Sequence, residues 1–194
     1  MPDYPDELLD FAEQSGASAC FFSPRELVVE EKLATFCVEP QCPNYGLSAS
    51  CPPHVKGPNA FREWRDDSEL GLALKIDVPA AILHTEDRLE VMKLLHEIVA
   101  GSEQLAVKLK YPRSKGFAGG SCKQIFCKNE STCLYLSENR TCRNPLYARP
   151  SMSGYGVNVA SLMRLAGWDT RALSKSEAAG ESMSWVAGLV LLRK

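Results

Sequence analysis

Eight cysteines lie along the 194-residue chain, and seven of them form two groups: Cys37, Cys42 and Cys51, then Cys122, Cys127, Cys133 and Cys142. Thiolates are soft, charged donors, and several converging within a few ångströms suit a metal ion or an iron–sulfur cluster. Close spacing along the chain lowers the loop-closure cost of that convergence. In a reducing compartment such grouping points to ligation or redox chemistry, whereas a disulfide framework belongs to short secreted chains. The competing reading of any one of these thiols is a buried, unreactive small hydrophobe.

The first group runs Cys37-Val-Glu-Pro-Gln-Cys42-Pro-Asn-Tyr-Gly-Leu-Ser-Ala-Ser-Cys51-Pro-Pro-His. It is built from turn formers, which leave backbone N–H groups free to point at sulfur. Proline directly after Cys42 and Cys51 fixes the chain as it leaves a centre and removes one donor, a habit of iron–sulfur ligation. The second group opens on Gly119-Gly120-Ser121-Cys122, where the glycines let the backbone come close, and ends on Cys142-Arg143-Asn144-Pro145. Its four thiols suffice for a complete cluster or a closed zinc site. Neither group contains the Cys-x2-Cys knuckle that zinc ribbons favour, which tilts the expectation toward iron–sulfur with zinc as the alternative.

Seven thiols leave one position short of two four-coordinate sites. Cys20 would fill it from an apolar strand, His54 from three residues past Cys51, or an iron would stay open as catalytic centres do. Arg143 and Arg149 flank the second group and would hydrogen-bond or neutralise a bound cofactor, the rival being ordinary ion pairs. His84 and His96 read as structural or solvated, with His96 on the polar side of a helix. Lys108, Lys110, Arg113 and Lys115 form a short basic run, either a solvated face or a dock for an acidic carrier. Tyr45, Tyr155 and Trp185 read as core or shielding aromatics, and Ser151 lacks the Gly-x-Ser-x-Gly elbow of a nucleophile.

The elements that must carry these loops follow from periodicity. Pro5 and Asp6 open a predicted helix stopped at Gly16, 17–22 read as a strand, and 70–76 as a core strand extended or followed by another over 80–83. The spacing of Val91, Leu94, Leu95, Ile98, Val99 and Leu105 predicts the longest helix over 87–109, with Gly101 as a candidate break. Asn158 is a candidate cap for a helix ending at Gly167, and 185–192 reads as a central strand shielded on both faces. The expectation is α/β or α+β: a single domain over 1–194, a short sheet with one layer of helices, and two cysteine-rich metal-binding loops.

Apolar residues make up 45% of the chain, enough for an ordinary core. Lysine plus arginine number 22 against 24 acidic residues, a net charge of −2 that argues against a bulk electrostatic grip on nucleic acid or anionic lipid. No apolar run reaches the roughly 18 residues of a membrane helix, and the acidic start Met-Pro-Asp-Tyr-Pro-Asp-Glu is unlike a secretory signal. The expected location is cytoplasmic, with no membrane and no nucleic acid as partner.

The string Cys42-Pro-Asn-Tyr-Gly with Cys51-Pro-Pro, then Gly-Gly-Ser-Cys122, Cys142-Arg143, Ala148-Arg149-Pro150-Ser151-Met152 and Tyr155-Gly156-Val157-Asn158-Val159, resembles a prokaryotic family of cysteine-rich proteins of unknown function described as predicted metal-binding. Ser184-Trp185-Val186-Ala187-Gly188-Leu189 resembles that family's last strand, and the likeness runs from about Gly16 to Leu192. The family's second group is more compact, whereas here the gaps are four, five and eight residues, so Cys122 and Cys142 correspond most directly. The resemblance implies a metal. Together with the thiol pattern, the expected cofactor is one or two iron–sulfur clusters of the [4Fe–4S] type, or zinc, and the expected role is electron transfer or redox assistance to a partner protein. An open-site enzyme and a structural zinc protein are the alternatives.

Overall fold

The computed structural model describes residues 4–168 and 182–194. Its frame is an antiparallel sheet of β1 (Ser18–Phe22), β2 (Leu70–Pro79), β3 (Lys115–Phe117) and β4 (Met183–Leu192), in the order β1-β2-β4-β3. β2 and β4 pair along their whole length, from Leu70 opposite Leu192 to Pro79 opposite Met183. They are the central strands, as the apolar run 185–192 predicts.

Alternation along these two strands feeds two cores. Leu72, Leu74, Ile76, Val186 and Val190 turn to one face and meet Leu95, Ile98 and Val99 of α4 (Arg88–Lys108) and Leu8 of α1 (Glu7–Gln14). Ala73, Ala187, Leu189 and Leu191 turn to the other, where Phe117 meets Phe61 of α3 (Gly57–Asp66), Leu162 and Met163 of α7 (Val159–Leu165), and Tyr155. The mixed α/β class therefore holds, but the sheet carries helices on both faces rather than one. Strands apolar on both faces cannot leave either face to water.

Several local expectations are met. Gly16 ends α1 at φ +86°, Asn158 caps α7 by accepting from the backbone N–H of Ser161 at 2.9 Å, and Gly167 follows it at φ +71°. α4 runs unbroken through Gly101, because that glycine answers to packing and not to helix termination. The Phe11 ring occupies the space a side chain would need, 2.4 Å from where a Cβ would stand. Residues 80–83 form a 3-10 turn (Ala80–His84) and not a strand. α3 and β3 were hidden in the sequence: Gly-Pro-Asn opens α3, which carries only Phe61 and Trp64 as large apolar residues, and β3 is three residues long.

The two cysteine stretches lie outside this core. Within 35–56 only Ser48 and Cys51 are buried, and within 119–148 only Ser121 is. α2 (Glu31–Ala34) leads into the turn at Cys37 just ahead of the first stretch, while α5 (Cys122–Phe126) and α6 (Leu134–Ser137) shape the second. The segment 149–157 fastens both to the frame. Ser151 donates its N–H to the Ser50 carbonyl at 3.0 Å, Met152 to Ala118 at 3.0 Å, and the Gly156 carbonyl accepts from Glu30 at 2.8 Å. That is a physical role for the Arg-Pro-Ser-Met string.

Candidate metal centre

Cys37, Cys42 and Cys51 line one cavity of about 190 Å³. The rest of its wall is uncharged, with Asn44, Ser121 and Gln124 as its amide and hydroxyl side chains nearest in sequence to cysteines of both groups. Burial, and then the neighbouring charges of Cys42 and Cys51, push the Cys37 thiol up to about 11. Converging thiolates with no cation among them repel, and a bound cation removes that cost.

Cys122, Cys133 and Cys142 line a second cavity, about 270 Å³, together with Lys115 and Tyr155. Cys127 joins them through Asn144, whose side-chain amide donates to the Cys127 sulfur and whose backbone N–H donates to the Cys142 sulfur, both at 3.4 Å. Burial raises the Cys127 thiol, and Asn144, Arg143 and Lys123 work against that rise. Burial also pushes Cys122 up to about 11, against the hydroxyls of Ser50 and Ser48 and with the charges of Cys51 and Cys142.

The two sites touch. The Ser50 hydroxyl, one residue before Cys51, shares a 2.7 Å hydrogen bond with the Cys122 sulfur. The φ of +81° at Gly120, which a side chain would resist, turns the chain so that Ser121 faces the first cavity while Cys122 lines the second. All eight cysteines carry free thiols.

Of the remaining candidates, Cys20, His54 and Arg149 fall elsewhere, while Arg143 stays near enough for its charge to act on Cys127. Cys20 lies in β1 opposite Ala73, its thiol donating to the Phe21 carbonyl, and it lines neither cavity. His54 is 3.2 Å from the Gly46 carbonyl and borders a different hollow, beside Lys123 and Cys133. Arg149 is buried; its guanidinium pairs with Glu103 of α4 at 3.0 Å and donates to the Ala148 carbonyl at 3.0 Å. Arg143 reaches the Thr132 carbonyl at 2.9 Å and Glu130 at 2.9 Å, bracing the second loop at its surface.

His96 is not on an exposed polar side. It is fully buried, its Nε2–H donates to the Gly119 carbonyl at 3.0 Å, and Nδ1 accepts from the Arg149 N–H at 3.1 Å. Burial depresses its pKa to about 4, which keeps the ring neutral. It therefore ties α4 to both ends of the second cysteine stretch. Lys115 likewise leaves its basic run: half-buried on β3, its ammonium sits 3.8 Å from the centroid of the Trp64 ring. Tyr155 packs edge-on against Phe117, and Trp185 lines a hollow behind Gly119.

Ser50, Ser121 and Asn144 escaped the sequence reading. A signal for two of them is present, since Ser-Cys occurs once in each group, at Ser50-Cys51 and Ser121-Cys122.

The donor set fits an inorganic group: six thiols on two adjoining cavities, Cys127 tied to the second through Asn144, and a buried Ser121 hydroxyl that has no hydrogen-bond partner among the described residues. Among those residues no three Cys, His, Asp or Glu side chains close into a tight group around one point.

No curated protein and no solved structure matches the chain. Residues 20–192 match the family described as "Predicted metal-binding protein (DUF2284)", and the chain belongs to that family.

Proposed function

Proceeding from that membership, we propose that the protein is a cytoplasmic iron–sulfur protein, with a [4Fe–4S] cluster on Cys122, Cys127, Cys133 and Cys142 and a second centre on Cys37, Cys42 and Cys51. It works as an electron-transfer or redox accessory module for a partner protein. The observation that carries this reading is the adjacency of the two thiol-lined cavities, joined by the hydrogen bond between Ser50 and Cys122.

When bound, such clusters supply one-electron chemistry at a potential set by burial, charge and hydrogen bonds to sulfur. The chain supplies those settings. Ser50 and Asn144 bond to sulfurs of the second group, and Arg143 and Lys123 place positive charge near Cys127. Exposed Phe36, Val38 and Leu47 beside the first group, and Tyr135, Leu146 and Tyr147 beside the second, offer a partner an apolar surface around the centres. No helix among the described residues is long and apolar enough to cross a membrane.

Purification without oxygen, followed by metal and acid-labile sulfide analysis, tests the proposal. Iron and sulfide in matching amounts, with a cluster absorption that bleaches on reduction, are expected. A colourless protein that takes up zinc even when iron and sulfide are supplied would make the thiols structural staples instead.

A further inference from the structure

Three cysteines leave the first site one donor short, and neither Cys20 nor His54 lines its cavity. Ser121 does. The hydroxyl of Ser121 is buried and unbonded among the described residues, as are Ser102 Oγ and Trp185 Nε1, but of the three only Ser121 belongs to a residue that lines this cavity. Ser121 is the N-cap residue of α5, where a serine side chain ordinarily accepts from the first turn, yet here it makes no such bond. Nor do Ser50 and Cys122, bonded to each other, use it.

We propose that Ser121 supplies the fourth, oxygen donor to the site formed by Cys37, Cys42 and Cys51, an inference that rests on the metal-centre reading above. Each cysteine group then lends the other the serine that precedes one of its cysteines. Ser50, preceding Cys51 of the first group, bonds the Cys122 sulfur of the second. Ser121, preceding Cys122, completes the first. Ligation by the serine oxygen releases its hydroxyl proton, as each thiol releases its own. The wall contributes no lysine, arginine or histidine to compete for the position. A hard oxygen among three thiolates also marks one metal atom as different from its neighbours, which gives the site a spectroscopic signature.

The test uses the full chain, prepared without oxygen with iron-57 and sulfide, and compares wild type with Ser121→Ala, Ser121→Cys, Cys20→Ala and His54→Ala by Mössbauer and electron paramagnetic resonance spectroscopy and by iron content. Wild type is expected to show one iron environment distinct from the all-thiolate ones. Ser121→Ala should lose that component, and Ser121→Cys should convert it to a thiolate-like one with iron retained. Cys20→Ala and His54→Ala should keep it. Ser121→Ala removes no capping bond, so α5 is expected to survive, and circular dichroism with intact second-site spectra verifies this. An unchanged distinct component in Ser121→Ala, or its loss in Cys20→Ala or His54→Ala, overturns the assignment while leaving the iron–sulfur reading standing. Wild-type protein that takes up no iron and sulfide overturns both.

Discussion

Cys37, Cys42 and Cys51 share a cavity whose other walls are uncharged, whereas Cys122, Cys127, Cys133 and Cys142 sit on a loop crossed by Arg143, Lys123 and Lys115. The first group is fastened by backbone bonds, through Ser151 to Ser50 and through the turn in which Gly46 donates to the Pro52 carbonyl at 2.8 Å. The second is fastened by side chains of α4: buried His96 grips Gly119 and Arg149, and half-buried Glu103 grips the Arg149 guanidinium. One thiol group is thus insulated from charge and held by the main chain. The other lies near positive charge and is held by titratable side chains, so acid and salt reach it more readily.

The largest effect that can probe this difference is metal removal. Neither stretch has an apolar core of its own, so ligation, worth on the order of 10 kcal/mol for structural sites, is expected to order both. After chelation, protease should cut within 37–53 and 119–149 while α4, β2 and β4 stay protected. The second stretch should open less at its ends, because His96 and Glu103 still hold Gly119 and Arg149. Equal cleavage rates across loops and sheet would show that the loops are self-supporting.

Acid should separate the groups next. In the folded chain His96 resists protonation down to about pH 4, while the unfolded chain takes up the proton near 6.5. Stability from the neutral ring is complete above pH 6.5 and is lost as pH falls toward 4. The slope is about 1.4 kcal/mol per pH unit and the total about 3 kcal/mol. Urea unfolding of wild type and His96→Gln at pH 7, 6 and 5 checks this, with the wild-type advantage expected to shrink stepwise. A constant gap would mean that the ring titrates alike in both states.

Much of the frame was legible because periodicity reports burial directly: the helix over 87–109, the strand over 185–192 and the Asn158 cap all stand near their expected positions. The misses share a cause. α3 hides behind Gly-Pro-Asn and buries little beyond Phe61 and Trp64, and Gly101 reads as a helix breaker until the Phe11 ring is seen over it. The spacing of the thiols predicts convergence, and the structure goes part of the way, setting three cysteines on each of two cavities without closing any three around one point among the described residues. The long-range partners were not legible: the Ser50 to Cys122 bond spans 72 residues and the His96 to Arg149 bond 53, and no local pattern encodes either.

The smallest effect on stability is the sharpest on function. Arg143 and Glu130 form a partly exposed ion pair, 2.9 Å apart, of a kind that contributes about 0–1 kcal/mol, so Arg143→Ala should barely move the unfolding midpoint. Its charge, however, favours the more negative state of whatever Cys127 and its neighbours hold, because it already opposes the rise of the Cys127 thiol. Removing it should make the second centre harder to reduce and leave the first, whose walls carry no arginine, where it was. Redox titration of the two centres, resolved by electron paramagnetic resonance, measures both at once. The shift should fade as salt is added, since the pair is open to solvent. A shift of the same size at both centres would show that charge is shared across the Ser50 bridge, and the insulation of the first site would then be lost as an explanation.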